Sequence, residues 1–290
     1  MSVEEFLTRR SGVSADILRL LSLFGQPIFW RRPGTAHAYN EEASVSLSRP
    51  SKKLIAQTIP VNRLESSLRA TMWTLFQTYY DNVTRDHFDC DLEEKSHVLL
   101  FFDSGSRELK GFSTVKRYPH TTAGQRVMVI YSGDTIIDRD YWGQPALASE
   151  FIKFTILSKL RYCFTPMYWF LISKGYKTYL LLSRNYVEYW PRYDQPTPSW
   201  HNQLMHELAS ARFGDDWKPK LGIVRFETCH GKLKTDVAPI EPALLSQPDI
   251  RFFVERNPGH IHGDELCCLG RIGFGLWWKT LVRQVRKHLF

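Results

Sequence analysis

The sequence predicts an α+β protein: a mixed, mostly antiparallel central sheet flanked by helices, with extensions at its N- and C-terminal ends. Three observations predict it. Apolar residues recur at helical spacing in 61–80 and again after Pro145. Compact apolar runs stand at Val98–Phe102, Arg126–Tyr131 and Lys177–Leu182, bounded by turn residues. Helices come first and strands follow, which makes a mixed sheet with helices packed on it. The chain has 290 residues, 43% hydrophobic and 23% charged, so it can bury a core and is not a disordered or coiled-coil chain.

The net charge is +8. The last twenty residues hold Arg271, Lys279, Arg283, Arg286 and Lys287 and no acid, so a near-neutral body ends in a cationic tail. That distribution argues against a broad nucleic-acid surface, and no nucleic-acid partner is expected. Five scattered cysteines make no disulfide framework. The sequence shows no signal-peptide pattern at Met1–Arg10 and no apolar run long enough to span a bilayer, so a cytoplasmic setting is expected.

Along the chain, Ser14 caps a short helix over 14–24. Residues 30–53 read as an arm with a short strand at 44–48. In 61–80, Leu64, Leu68, Met72, Leu75, Phe76 and Tyr79 share one helical face, and a second helix occupies 84–95. Val98–Phe102, a turn over Asp103–Glu108 and Leu109–Val115 form a hairpin. A further strand runs from Arg126 to Tyr131 and on toward Ile137.

Pro145 opens the next helix, whose buried stripe is Leu147, Phe151, Phe154, Leu157 and Leu160. Pro166 starts a short helix that Gly175 ends, and Lys177–Leu182 reads as a buried central strand. Asn185–Trp190 is a helical turn limited by Pro191. The stretch 191–200, with three prolines, is a lid or linker, and Ser199 caps a helix over 199–213. Leu221–Phe226 and Ile250–Val254 read as strands. The units expected are an N-terminal helix and arm (1–60), a core (61–230) and a C-terminal extension (231–290).

From about 63 to 193 the order is helix, helix, hairpin, long strand, turn, helix, strand, short helix. After the long strand stands Ile137-Asp-Arg-Asp-Tyr-Trp-Gly-Gln-Pro-Ala-Leu147. This stretch resembles the GNAT family, the Gcn5-related N-acyltransferases, over roughly 130 residues. Ile137, Tyr141 and Gly143 match the family's donor-binding turn, while Trp142, Pro145 and Leu147 depart from it. The resemblance implies a GNAT-like fold and transfer of an acyl group from a thioester, acyl-CoA or an acyl-carrier protein, to an amine. It implies donor binding at Arg139, Tyr141, Trp142, Gly143, Gln144 and Asn185, because a helix N-terminus offers free amides to a pyrophosphate. It implies proton transfer by Asp134, on the extension of the long strand, and by Tyr189 or Tyr193 after the next strand. The expected substrate is a small or lipid-like molecule.

The altered turn leaves an alternative: a non-catalytic module that docks on a membrane or partner through residues 271–290. There, a helix from about 275 would present Trp277, Trp278 and Leu281 beside the cations. His260, His262, Asp264, Cys267 and Cys268 are metal-ligating types, but no second group stands at ligand spacing, so no metal is expected.

Overall fold

The computed structural model describes residues 52–81, 83–226, 232–233 and 240–273. Its frame is a sheet of nine strands. β1 (Leu54–Pro60), β3 (His97–Asp103), β4 (Leu109–Thr122) and β5 (Gln125–Ile137) follow one another antiparallel, and β6 (Met167–Ser173) pairs with β5 in parallel. β11 (Glu265–Ile272) lies antiparallel on β6. Beyond it come β9 (Ile223–Val224) and β8 (Trp217–Lys218), with β7 (Tyr189–Trp190) also on β11. A small second sheet joins β2 (Tyr80–Asp81) to β10 (Lys232–Leu233). This is the mixed, mostly antiparallel sheet that the sequence predicts.

Among the described residues, six helices cover the two faces. α1 (Ser66–Tyr79), α2 (Arg85–Glu93) and α5 (Ser199–Phe213) pack on one face, against Val98, Leu100 and Phe112 and, farther along, Val129, Tyr168 and Phe170. α3 (Ala146–Arg161), α4 (Tyr176–Asn185) and α6 (Pro248–Arg256) pack on the other, against Leu99, Phe101, Ile130, Trp169 and Cys268. Neighbouring residues of β3 and β6 therefore bury on opposite faces. That is why both strands read as unbroken apolar runs. The parallel pair β5–β6 needs a crossover, and α3 supplies it.

Local signals shape two of these junctions. Thr84 caps α2, accepting from the His87 amide at 3.3 Å. Ala123 and Gly124, with φ of 45° and 76°, make the tight two-residue turn that joins β4 to β5.

Three elements differ from the sequence prediction. Residues 166–175 hold β6, not a helix: the six-residue apolar run Met167–Ile172 fits either, and burial on both faces decides for the strand. Lys177–Leu182 belongs to helix α4, not to a strand. Its buried residues Tyr176, Tyr179, Leu180 and Leu182 keep helical spacing, which the apolar neighbour Leu181 disguises. Ile250–Val254 lies in helix α6, with Pro248 in its first turn, Asp249 beside it, and Ile250 and Phe253 buried one turn apart.

Smaller differences follow. Asn185 ends α4, and the expected helical turn after it gives way to β7. The strand at 221–226 shortens to Ile223–Val224, and α5 starts without a side-chain cap from Ser199. The helix at 14–24, the strand at 44–48 and the helix from about 275 lie outside the described residues. Arg271 and Ile272, counted with the cationic tail in the sequence, belong to β11. Arg271 pairs with Glu188 at 2.9 Å and Ile272 is buried in the core. The sheet thus draws β1 from within 1–60 and β11 from within 231–290.

Candidate active site

The ladder between β5 and β6 runs from Met128–Met167 to Tyr131–Phe170 and stops. Beyond it, the described partner of β5 is β4 alone, while Leu171–Ser173 stay paired to β11. Two parallel strands therefore separate at their C-terminal ends. Such an opening exposes backbone amides and carbonyls at the edge of a sheet, as a binding crevice requires.

β5 bends where it leaves β6. Val115 faces Ser132 and Ser113 faces Thr135, so two residues of β5, Gly133 and Asp134, oppose the single Thr114. Ser132 points to the α3 face, where its Oγ accepts from the Trp169 indole at 2.9 Å. Thr135 points the same way, its hydroxyl 2.7 Å from that of Ser113. The bulge turns both Gly133 and Asp134 toward α1 and α2. Under unbroken alternation from Ser132, Asp134 and Ile136 would point away from that face.

A cluster of charged and phenolic groups gathers around Asp134. Asp91 and His87 come from α2, Lys95 from the turn after it, Lys174 from the end of β6, Glu265 from the start of β11 and Tyr80 from β2. Burial pushes the Asp134 carboxyl up to about 6; Asp91 adds to the rise, and Lys95 and Lys174 oppose it. Burial raises Glu265 too, although the Lys174 ammonium lies 3.2 Å away. Tyr80 is raised by burial and by the two carboxylates, so its hydroxyl keeps its proton through the neutral range. Lys174 also stands 5.5 Å from the centre of the Tyr80 ring. Within the described residues, no group of metal-ligating side chains converges on one point.

β5 continues into the turn that leads to α3. Asp138 accepts from the Asp140 amide at 3.1 Å and starts a 3₁₀ turn over Arg139–Tyr141. Most of the expected donor-binding side chains are engaged here in building the turn. Tyr141 is buried and donates to Asp103 at 2.9 Å. The Trp142 indole donates to the Ile137 carbonyl at 2.7 Å while its ring remains exposed, with the Arg139 guanidinium 5.7 Å from the ring centre.

Gln144 spans the gap to the start of β1. It accepts from the Leu54 amide and donates to the Lys52 carbonyl, both at 2.9 Å. Gln144→Ala should therefore lower stability by about 1–2 kcal/mol, read as a lower urea midpoint, with faster amide exchange at Leu54. An unchanged midpoint and exchange rate would show that the clamp contributes nothing.

Gly143 has a φ of +84° with open space where a side chain would begin. After it, Pro145 precedes α3, whose first-turn amides have no carbonyl one turn back to bond. Tyr141 and Gln144 are thus engaged within the protein.

Asp134 stands where β5 leaves β6, and the turn that follows β5 bonds to Lys110, Asp103 and Leu54 on the β4, β3 and β1 side. Asn185 does not join them: at the end of α4 its side chain donates to the Leu181 carbonyl at 2.7 Å. Its match in the sequence followed from placing the strand at 177–182. With the strand at 167–173, the residues that leave it are Lys174, Gly175 and Tyr176. Tyr189 lies on β7, with β11 and β6 between it and the opening, and its hydroxyl is 3.4 Å from Asp249. Tyr193 follows the cis Trp190–Pro191 bond and is half-exposed.

Sequence reasoning missed Tyr80, Asp91, Lys95, Lys174 and Glu265. Only Glu265 left a trace, a carboxylate opening the apolar run Leu266–Leu269.

No family model and no curated protein matches the chain. Solved structures resemble part of it. A protein from Enterococcus faecalis, described as a probable N-acyltransferase, is 12% identical over 45% of this chain with a TM-score of 0.36. The match spans 32% of that protein's length. An acetyltransferase from Trypanosoma brucei is 15% identical over 50% of this chain and 98% of its own, with a TM-score of 0.35. A GNAT-family N-acetyltransferase from Escherichia coli in complex with CoA is 14% identical over 44% of this chain and 67% of its own, with a TM-score of 0.31.

Proposed function

From a chain with a GNAT-like fold, we propose an acyltransferase that moves an acyl group from a thioester donor, acyl-CoA or an acyl-carrier protein, to an amine. One observation carries the reading. A bulge places a carboxyl with a pKa near 6 beside the opening between two separating parallel strands. A base that titrates near neutrality is matched to taking a proton from an amine at physiological pH.

The donor supplies an activated acyl group. The chain's own residues do the rest. The first turn of α3, Gly143 and Arg139 hold the donor's phosphates. The backbone of the bulge offers N–H groups at the β5 edge to the oxygen that gains charge. Asp134 accepts the proton that the attacking nitrogen loses. Tyr80, still protonated, is the phenol at this site able to return one to the sulfur.

A thermal-shift titration of the full chain with CoA, acetyl-CoA and a long-chain acyl-CoA tests the donor. Saturable stabilisation is expected, reaching about 2.7 kcal/mol at a hundred times the dissociation constant. Arg139→Ala should weaken it several-fold. Release of free thiol on adding primary amines then tests transfer. No shift with any of the three and no thiol release would overturn the reading; release from an acyl-carrier protein alone would reassign the donor.

A further inference from the structure

Lys95 has a side chain with 0% exposure, next to the bulge but outside the groups that would touch substrate. Its ammonium ion-pairs with the Asp91 carboxylate and donates to the Asp91 carbonyl at 3.0 Å. Arg212 of α5 holds the other carboxylate oxygen of Asp91 at 3.0 Å, binds Glu94 at 3.1 Å and lies 4.0 Å from the centre of the Tyr131 ring. Tyr131 is the last residue of β5 paired to β6. The backbone of Lys95 is tied down as well, its amide bonding the Leu92 carbonyl at 3.1 Å.

The fit against β5 is close. A Cβ on Gly133 would stand 2.7 Å from Lys95 Cε and 3.4 Å from its Nζ, so ammonium and bulge touch. Burying an ammonium is costly, and a buried ion pair is a poor source of stability. Its place against the one irregular segment of β5 at the opening gives it another use.

We infer that Lys95 is a positioning residue: paired with Asp91, which Arg212 holds from its other oxygen, its ammonium buttresses the Gly133–Asp134 bulge and places positive charge beside Asp134. The inference rests on Asp134 being the base. The other groups facing Asp134 are Asp91 and His87 from α2, Lys174 beyond β6, Glu265 of β11 and Tyr80 of β2. Of the cations among them, Lys95 is fully buried against Gly133, whereas the Lys174 side chain is 20% exposed and His87 is exposed.

The test is a carboxyl ¹³C NMR titration of the full chain, with the Asp134 signal assigned by its loss in Asp134→Asn. It is run beside the pH dependence of acyl transfer. In Lys95→Met, the Asp134 titration and the acid limb of activity should both move up by about 0.5–1 unit, a roughly three- to tenfold change in proton affinity. Removing the opposing anion as well, in Lys95→Met/Asp91→Asn, should bring both back down. A structural role alone would lower the melting temperature and leave the titration in place. A titration that stays within about 0.2 unit in Lys95→Met therefore overturns the inference. Should Lys95→Met not fold, Lys95→Gln removes the same charge and keeps a donor for Asp91. If the wild type transfers no acyl group but the titration shifts as stated, the transferase reading fails and the electrostatic link stands.

Discussion

Asp134→Asn should lower kcat/KM for acyl transfer by about 10²–10⁴-fold with little change in donor affinity. The asparagine keeps the size of the side chain and cannot take a proton. In the wild type, the reactive form is the carboxylate, so activity should rise as pH passes through about 6 and be lost below it. The variant should lack that limb.

The same substitution should stabilise the protein. The folded carboxyl titrates above its ordinary 3.8, so its contribution to stability is present below that value and is lost as pH rises through about 6. At pH 8 the wild type carries the whole cost of ionising this group and the asparagine variant does not. A melting temperature about 2–4 °C higher at pH 8, with the gain fading toward pH 4, is the expected result. A variant that is both active and less stable at pH 8 would remove Asp134 from the site.

Gly133→Ala should be the most damaging single methyl in the site. The new Cβ would lie 2.5 Å from Thr114 Oγ1 and 2.7 Å from Lys95 Cε, distances that real Cβ atoms do not tolerate. Neither neighbour can yield freely: Thr114 and Lys95 are both buried, and Lys95 is tied to Asp91. The bulge must shift, at a cost of about 1–3 kcal/mol. Because Asp134 is the next residue, transfer should fall by more than the loss of folded protein explains. Adding Thr114→Ala opens space on one side and should restore part of both losses, a coupling readable in a double-mutant cycle. Additive effects of the two substitutions would mean that this contact does not hold the bulge.

How much of the site is legible in the sequence follows from what each residue depends on. Asp134 was legible because it sits two or three residues past an apolar strand, and strand continuation is a local matter. The turn after the long strand was legible for the same reason: a strand, a glycine and a proline before an apolar helical stripe are all neighbours in sequence. Lys95, Lys174, Glu265 and Tyr80 come from four separate stretches, between residues 80 and 265, and only the sheet order brings them to one place. Gln144 and Tyr141 also looked available for a ligand in the sequence. The structure spends them on β1 and on Asp103.

The sequence by itself determined the α+β class, the helices α1, α2, α3 and α5, the hairpin, and the long strand with its turn. Each of these is set by local periodicity or by a turn residue whose preference does not depend on distant partners. Tertiary structure decided the rest. Whether 167–173 and 176–185 are strand and helix or the reverse depends on which faces their neighbours bury, since a short apolar run satisfies both patterns. The bulge depends on the register of β5 against β4, and register is fixed by packing on both faces. The protonation of Asp134 depends on burial and on charges placed there by other strands and helices. No local pattern encodes a field summed over residues far apart in the chain.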